Sequence, residues 1–169
     1  MERLYKRGSR SCGPQDIEPD TRAAIAAHAE ERSLGDVLAN AVACCDTVST
    51  RLYKTGLFSR LKGMSDPDPE HRTVALFTPR HLVVAVTRAS TGTTVMSARL
   101  DGMSLSGRNA VADRFPGHGS ALEDSGISIN AHWSRHPEYG AYYVALGDDD
   151  AGRDFLDALR KAVAAAQQS

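Results

Sequence analysis

The longest apolar stretch of the chain runs from Arg72 to Arg88, RTVALFTPRHLVVAVTR. Val74 and Leu76 alternate with Ala75 and Phe77, and Leu82 to Val86 is apolar at every position. The second pattern marks a strand covered on both faces. Thr78-Pro79-Arg80-His81 lies between the two runs. Pro79 cannot take a positive φ, so a two-residue primed turn is excluded. A type I turn with Pro79 in second position and His81 in the left-handed region fits instead. The stretch predicts a β-hairpin.

Downstream the period of two continues. From Thr93 to Leu100, Thr94, Met96, Ala98 and Leu100 share one face, and Val95, Ser97 and Arg99 the other. Asp101-Gly102 is a short hairpin signal, and Met103 and Leu105 begin a fourth strand. Residues 106–126 are polar, with Gly and Pro, and read as a long, partly ordered surface loop. Ile127, Ile129, Ala131 and Trp133 alternate with polar residues, the pattern of a half-buried strand. Ala141 to Leu146 is another, with Tyr142, Val144 and Leu146 on one face. Asp148-Asp149-Asp150 then caps a helix whose apolar stripe is Phe155, Leu156, Leu159, Val163 and Ala166.

Upstream the period changes. Pro19 to Arg32 predicts a helix, with Pro in the first turn, Asp20 near the N-terminus and several alanines. Leu34, Val37, Leu38, Ala41, Val42, Cys45, Val48 and Leu52 recur at three- and four-residue spacing. They predict a second helix, capped by Ser33 and ended by Gly56. Residues 1–15 carry Arg3, Lys6, Arg7 and Arg10 among Gly and Ser and read as a basic flexible tail. The organisation expected is therefore that tail, a helical extension over 16–63, a linker loop over 64–71 around two Asp-Pro steps, and a β domain with its closing helix over 72–169.

Composition narrows the function classes. A chain of 169 residues can bury roughly 70% of its unfolded surface and needs no covalent staples. The net charge of −1 lacks the basic excess of a general nucleic-acid binder, so no specific nucleic acid is expected. No apolar run nears the length of a membrane span, and the first residues lack the apolar core of a secretory signal. Three cysteines make no disulfide framework, and adjacent Cys44 and Cys45 read as small buried hydrophobes. A reducing cytoplasm is the expected location. Lys54, Phe58, Arg60 and Lys62 lie in a short basic amphipathic segment that would touch a membrane surface or partner.

No reaction chemistry stands out. His132 and His136 have metal-like spacing only on a helix, and no third ligand is evident. Gly117-His118-Gly119 has no flanking strand and helix to make a phosphate loop. No Gly-x-Ser-x-Gly elbow occurs. No catalytic residue, cofactor or metal is assigned; a small enzyme of unknown reaction is the least favoured reading.

Short antiparallel strands in a meander, closed by one amphipathic helix, resemble the pleckstrin-homology (PH) fold. The chain is most similar to bacterial PH-like domains. The resemblance rests on TVALFTPRHLVVAVT as a first hairpin and FLDALRKAV as the closing helix, and covers about Arg72 to Ala166. It implies an α+β, PH-like antiparallel β-sandwich or partly open barrel, with the N-terminal helices as an extension. It implies a non-enzymatic binding or adaptor module for a protein partner or an anionic membrane surface. In a meander alternate loops share one end, so Arg80, His81, Arg99, Arg135 and His136 would form a cationic rim able to hold a phosphate or carboxylate. A structural protein that self-associates as a homo-oligomer through the helix Leu34 to Leu52 is the alternative.

Overall fold

A computed structural model of the chain describes residues 3–54, 67–106 and 125–169. Its β-strands are β1 (Tyr5–Ser11), β2 (Ala43–Arg51), β3 (Glu70–Phe77), β4 (His81–Arg88), β5 (Gly92–Arg99), β6 (Ser104–Ser106), β7 (Gly126–His132) and β8 (Tyr139–Ala145). Its helices are α1 (Pro19–Glu31) and α2 (Asp150–Gln167). The strands form a five-stranded sheet in the order β1-β2-β3-β4-β5 and a three-stranded sheet in the order β6-β7-β8. Every pairing is antiparallel. The chain is α+β. No helix among the described residues is long and apolar enough to cross a membrane.

The apolar hairpin is the middle of the larger sheet and is buried on both faces. Ala75, Phe77, Leu82 and Val84 face a core shared with the second sheet and α2, where they meet Leu100, Ile129, Trp133, Phe155 and Leu159. Val74, Leu76, Val83 and Ala85 face a second core under α1 and the turn after it, with Ile17, Ile25 and Val37. Each of the Val, Leu, Ile and Phe side chains among them contributes roughly 1.5–3 kcal/mol when fully buried. The expected faces of β5, β7, β8 and α2 are all observed: Met96, Ala98, Leu100, Ile127, Ala131, Val144, Leu146 and Val163 join the first core. Cys44 and Cys45 are both buried, one in each core.

Three expectations are corrected. The first concerns the basic tail: Tyr5–Ser11 is a strand, paired with β2 from Tyr5↔Arg51 to Ser11↔Cys45. Its residues are polar because it is an edge strand, where charge guards an open ladder. The second concerns Leu34 to Leu52, which holds β2 instead of a helix. The apolar residues fit a helical stripe, but Asp46-Thr47-Val48-Ser49-Thr50 is a run of poor helix formers that suit a pleated sheet. Self-association through that helix therefore has no helix to use. The third concerns Ser33, which ends α1 rather than capping a new helix. Its φ is 55°, Ser33 N–H donates to Glu30 O (3.1 Å) and Leu34 N–H donates to Ala29 O (2.9 Å), a Schellman ending. The segment expected at Lys54 to Gly63 and the 106–126 loop lie outside the described residues over 55–66 and 107–124; Lys54 itself is exposed.

Asp101-Gly102 also departs from its expected hairpin. Residues Leu100–Gly102 form one 3-10 turn that carries the chain to the other sheet, because β6 pairs with β7 and not with β5. Leu100, its first residue, and Met103, just after it, are both buried and draw the backbone across the core.

The C-terminal helix is joined to the first strand. Asp149 is its N-cap: Oδ1 accepts from Gly152 N–H (2.9 Å) while Oδ2 accepts from Ser9 N–H (2.7 Å) in β1. Gly147 N–H donates to Ser9 Oγ (2.7 Å). Glycine is required at both partners. A Cβ on Gly147 would lie 2.8 Å from Ser9 N, and one on Gly152 only 2.1 Å from Gly147 O.

Two outcomes follow from these local devices. Asp149→Ala loses the cap and uncovers Ser9 N–H, and lowers stability by about 2 kcal/mol. Asp150→Ala, with a side chain 95% exposed, changes it by less than about 0.5 kcal/mol; equal losses in denaturant unfolding would contradict the joint. Ser33→Gly removes the left-handed cost and raises stability by about 1 kcal/mol. An unchanged unfolding midpoint would mean that the serine side chain compensates its backbone.

Candidate functional site

The turn between β3 and β4 is built by Thr78. Its N–H donates to His81 O (2.9 Å), and its Oγ1 accepts from Arg80 N–H (3.2 Å) and His81 N–H (3.1 Å). The hydroxyl thus takes the place of a backbone acceptor, a turn chemistry typical of Thr. Leu100 N–H donates to Arg80 O (2.9 Å), tying this turn to the one after β5. His81 is not left-handed, contrary to expectation: among the described residues Ser33 is the non-glycine with positive φ. Thr78 closes the turn without needing one.

This turn end collects three of the five rim residues. Pro79 and Arg80 are exposed, and His81 is half-buried directly across from Arg99. Arg99 is held by Asp101 through two contacts, Nε to Oδ1 (3.1 Å) and Nη2 to Oδ2 (2.6 Å). The bond to Arg99 keeps the Asp101 carboxyl below its usual range. Burial, followed by the positive charges of Arg99 and Arg80, holds the His81 imidazole below its usual value. Among the described residues Arg80 makes no ion pair. At the same end of the sheet, on the β2 side of β3, stands Val42, 61% exposed, whose N–H donates to Phe77 O (2.8 Å). In the sequence pattern Val42 fits a helical stripe, so its place on the rim depends on β2 being a strand.

The other two rim residues are elsewhere. Arg135 Nε donates to Val95 O (3.1 Å) on the outer edge of β5, four residues or about 13 Å along the strand from Arg99. His136 N–H donates to Trp133 O (3.0 Å), and its side chain is exposed. His132 packs its ring edge-on against Tyr139, with centroids 5.1 Å apart. No group of three His, Cys, Asp or Glu side chains suited to a metal occurs among the described residues. Of the second expected patch, Phe58, Arg60 and Lys62 lie outside the described residues.

A buried polar cluster sits where β5 meets the second sheet. His28 Nε2 and Ser97 Oγ share a hydrogen bond of 2.9 Å. Ser97 N–H donates to Ser134 Oγ (3.0 Å), and Ser134 N–H donates to Ser97 O (2.9 Å). Ser97 and His28 are 4% and 7% exposed, so the pair docks α1 on the sheet instead of facing solvent. Burial first, then Arg32 and Arg135, holds the His28 imidazole below its usual value, while Glu31 opposes them. No sequence signal singles out Ser97, because its partners come from two distant elements.

A cleft of about 250 Å³ lies between α2 and the ends of β7 and β8, lined in part by Ile127, Leu146, Leu156, Arg153 and Arg160. Both arginines have acidic partners, Arg153 with Asp148 and Asp150 and Arg160 with Asp157, so the cleft offers little unspent charge to an anion.

Acidification tests the docking of α1. His28 and His81 bind a proton less readily folded than unfolded, so the unfolded chain takes up more protons and stability falls as pH drops from about 6.5. His28→Gln keeps a nitrogen at the Ser97 hydroxyl and does not titrate. It makes the denaturation midpoint fall less steeply below about pH 6.5; a variant as steep as the parent would remove His28 from this role.

Compared with known proteins, the chain matches no family model, no curated protein and no solved structure.

Proposed function

We propose that the chain is a non-enzymatic, PH-like binding module whose working end is the rim of Val42, Pro79, Arg80, His81 and Arg99, and that this rim meets an anionic membrane surface. The element order supports the PH-like reading. The meander β2 to β5 is followed by a three-stranded antiparallel sheet and a closing helix, with β1 and α1 as additions.

The observation that carries the proposal is that Arg80, exposed on a turn pinned by Thr78 and Leu100, shares one end of the sheet with the exposed Val42, which is bonded to Phe77 at the end of β3. An apolar contact flanked by cations is what an anionic interface attracts, at about 1 kcal/mol per cation near the surface. The backbone is already held, so little ordering entropy opposes docking. His81 is kept uncharged at neutral pH by its burial and its arginine neighbours. An anion placed among them would favour its proton, so binding tightens as pH falls.

A protein partner taken by strand addition is the second reading. It fits less well, because both outer edges of the larger sheet are partly occupied. Ser9 N–H is bonded to Asp149, and Ser97 and Val95 are bonded to Ser134 and Arg135.

Co-sedimentation with neutral and anionic vesicles, at low and high salt, tests the proposal. Binding is expected to anionic vesicles only and to weaken with salt. Arg80→Ala weakens it about fivefold, while Arg135→Ala, away from the rim, leaves it unchanged. Equal binding to neutral vesicles, or full binding by Arg80→Ala, overturns it.

A further inference from the structure

We propose that Cys12 and Cys44 are a redox pair, which closes into a disulfide by exchange with a low-molecular-weight disulfide and so clamps the entry to α1 onto the five-stranded sheet. The β1–β2 ladder runs to Ser11 opposite Cys45. One residue further, Cys12 N–H donates to Cys44 O (3.2 Å), so the two cysteines oppose each other as a hydrogen-bonded pair. Such pairs have Cα atoms about 5.5 Å apart, which falls within the commonest range for cystines. Their Sγ atoms are 2.9 Å apart, so closing to a bond of about 2.05 Å needs a movement of under about 1 Å.

The two thiols have different surroundings, which assigns their roles. Cys12 is half-exposed where β1 leaves the sheet, and Cys44 is buried in the core under α1. The hydrogen bond from Cys44 pulls the Cys12 thiol down, and the charge of Arg10 acts in the same sense. The same bond, then burial, pushes the Cys44 thiol up. Cys12 is therefore the attacking sulfur and Cys44 the resolving one. The Cys12 thiolate attacks one sulfur of the small disulfide, breaking its S–S bond and releasing one thiolate. That thiolate takes the proton of Cys44. The Cys44 sulfur then attacks the Cys12 sulfur and expels the second thiolate. The second thiolate takes up the proton that Cys12 released to water on ionising, so two protein thiols lose two electrons and the small disulfide is reduced to two thiols.

Cys45 has no part in this. Successive side chains of a strand point to opposite faces. Cys45 Sγ is buried in the other core, 3.9 Å from Thr47 Oγ1. The bond would close a span of 32 residues that contains all of α1, and a link across a span of that size stabilises chiefly by restricting the unfolded chain.

The test equilibrates the whole chain in glutathione buffers of rising oxidation, then denatures, alkylates and weighs it. The reduced chain has three thiols to alkylate: Cys12, Cys44 and Cys45. The oxidised chain is expected to keep Cys45 alone, to yield a linked peptide joining Cys12 to Cys44, and to melt about 10 °C higher. Dithiothreitol reverses all three changes. Cys12→Ser, at the half-exposed position, prevents them, and Cys45→Ser leaves them intact. Three alkylated cysteines, a mixed disulfide that stays on Cys12, a link to Cys45, a link between chains, or the same melting shift in Cys12→Ser would each overturn the proposal.

Discussion

The structure depends on one constraint: the central hairpin of β3 and β4 is apolar on both faces and must be covered on both. Phe77, Leu82 and Leu76 retain no exposed surface. A single layer cannot achieve that, so the chain supplies two covers. The second sheet and α2 close one face, and α1 with the turn after it closes the other. The remaining strands extend this hairpin sideways, β2 and β1 on one flank and β5 on the other.

Covering both faces leaves two open edges, and polar side chains deal with each. At β1 the Asp149 carboxylate accepts both from the first turn of α2 and from the Ser9 backbone, so one side chain starts a helix and guards a strand. Ser9 Oγ also bonds Thr47 (2.6 Å), which fastens that joint to β2. Beside it Asp46, buried between β1 and β3, accepts from Arg10 and Arg72, and Arg72 reaches on to Glu18 before α1. A buried carboxylate is costly unless it is paired and hydrogen-bonded, and here both oxygens are. At β5 the Ser97–Ser134 exchange plays the corresponding part and also receives His28. The edges are thus closed by hydrogen bonds from elements far away in sequence, which aligns both covers with the sheet.

The proposed rim is a by-product of the same arrangement. Where β3 turns into β4 there is no room for a long loop, and Thr78 closes the turn with its own hydroxyl. The side chains that cannot be buried there, Pro79 and Arg80, project from a rigid base. The turn leaving β5 is bonded to it through Leu100 and brings Arg99 and Asp101 alongside. The PH-like binding role we propose uses this rigidity, and the clamp proposed at Cys12 acts on the α1 cover of the sheet.

Much of this was legible in the residues and some was not, for reasons that differ by element. The β3–β4 hairpin, β5, β7, β8 and α2 could be read because their periodicity is local: each has one face, or two, that must be apolar whatever its neighbours are. Arg80, His81 and Arg99 could be grouped for the same reason, since a short turn sets the register between β4 and β5. β1 could not be read. Tyr5–Ser11 has no apolar face of its own, and it is a strand because β2 offers it a ladder. β2 was misleading, because its apolar residues fit a helical spacing, while its β-branched and polar run suits a strand, and pairing on both sides decided for the strand. Arg135, the docking of His28 on Ser97 and the meeting of Cys12 with Cys44 lay beyond any local pattern. Side-chain period along a segment was determined by the sequence itself. Which segments lie side by side was decided by tertiary structure, because backbone donors and acceptors are nearly alike at every residue and find their partners only when the whole core closes.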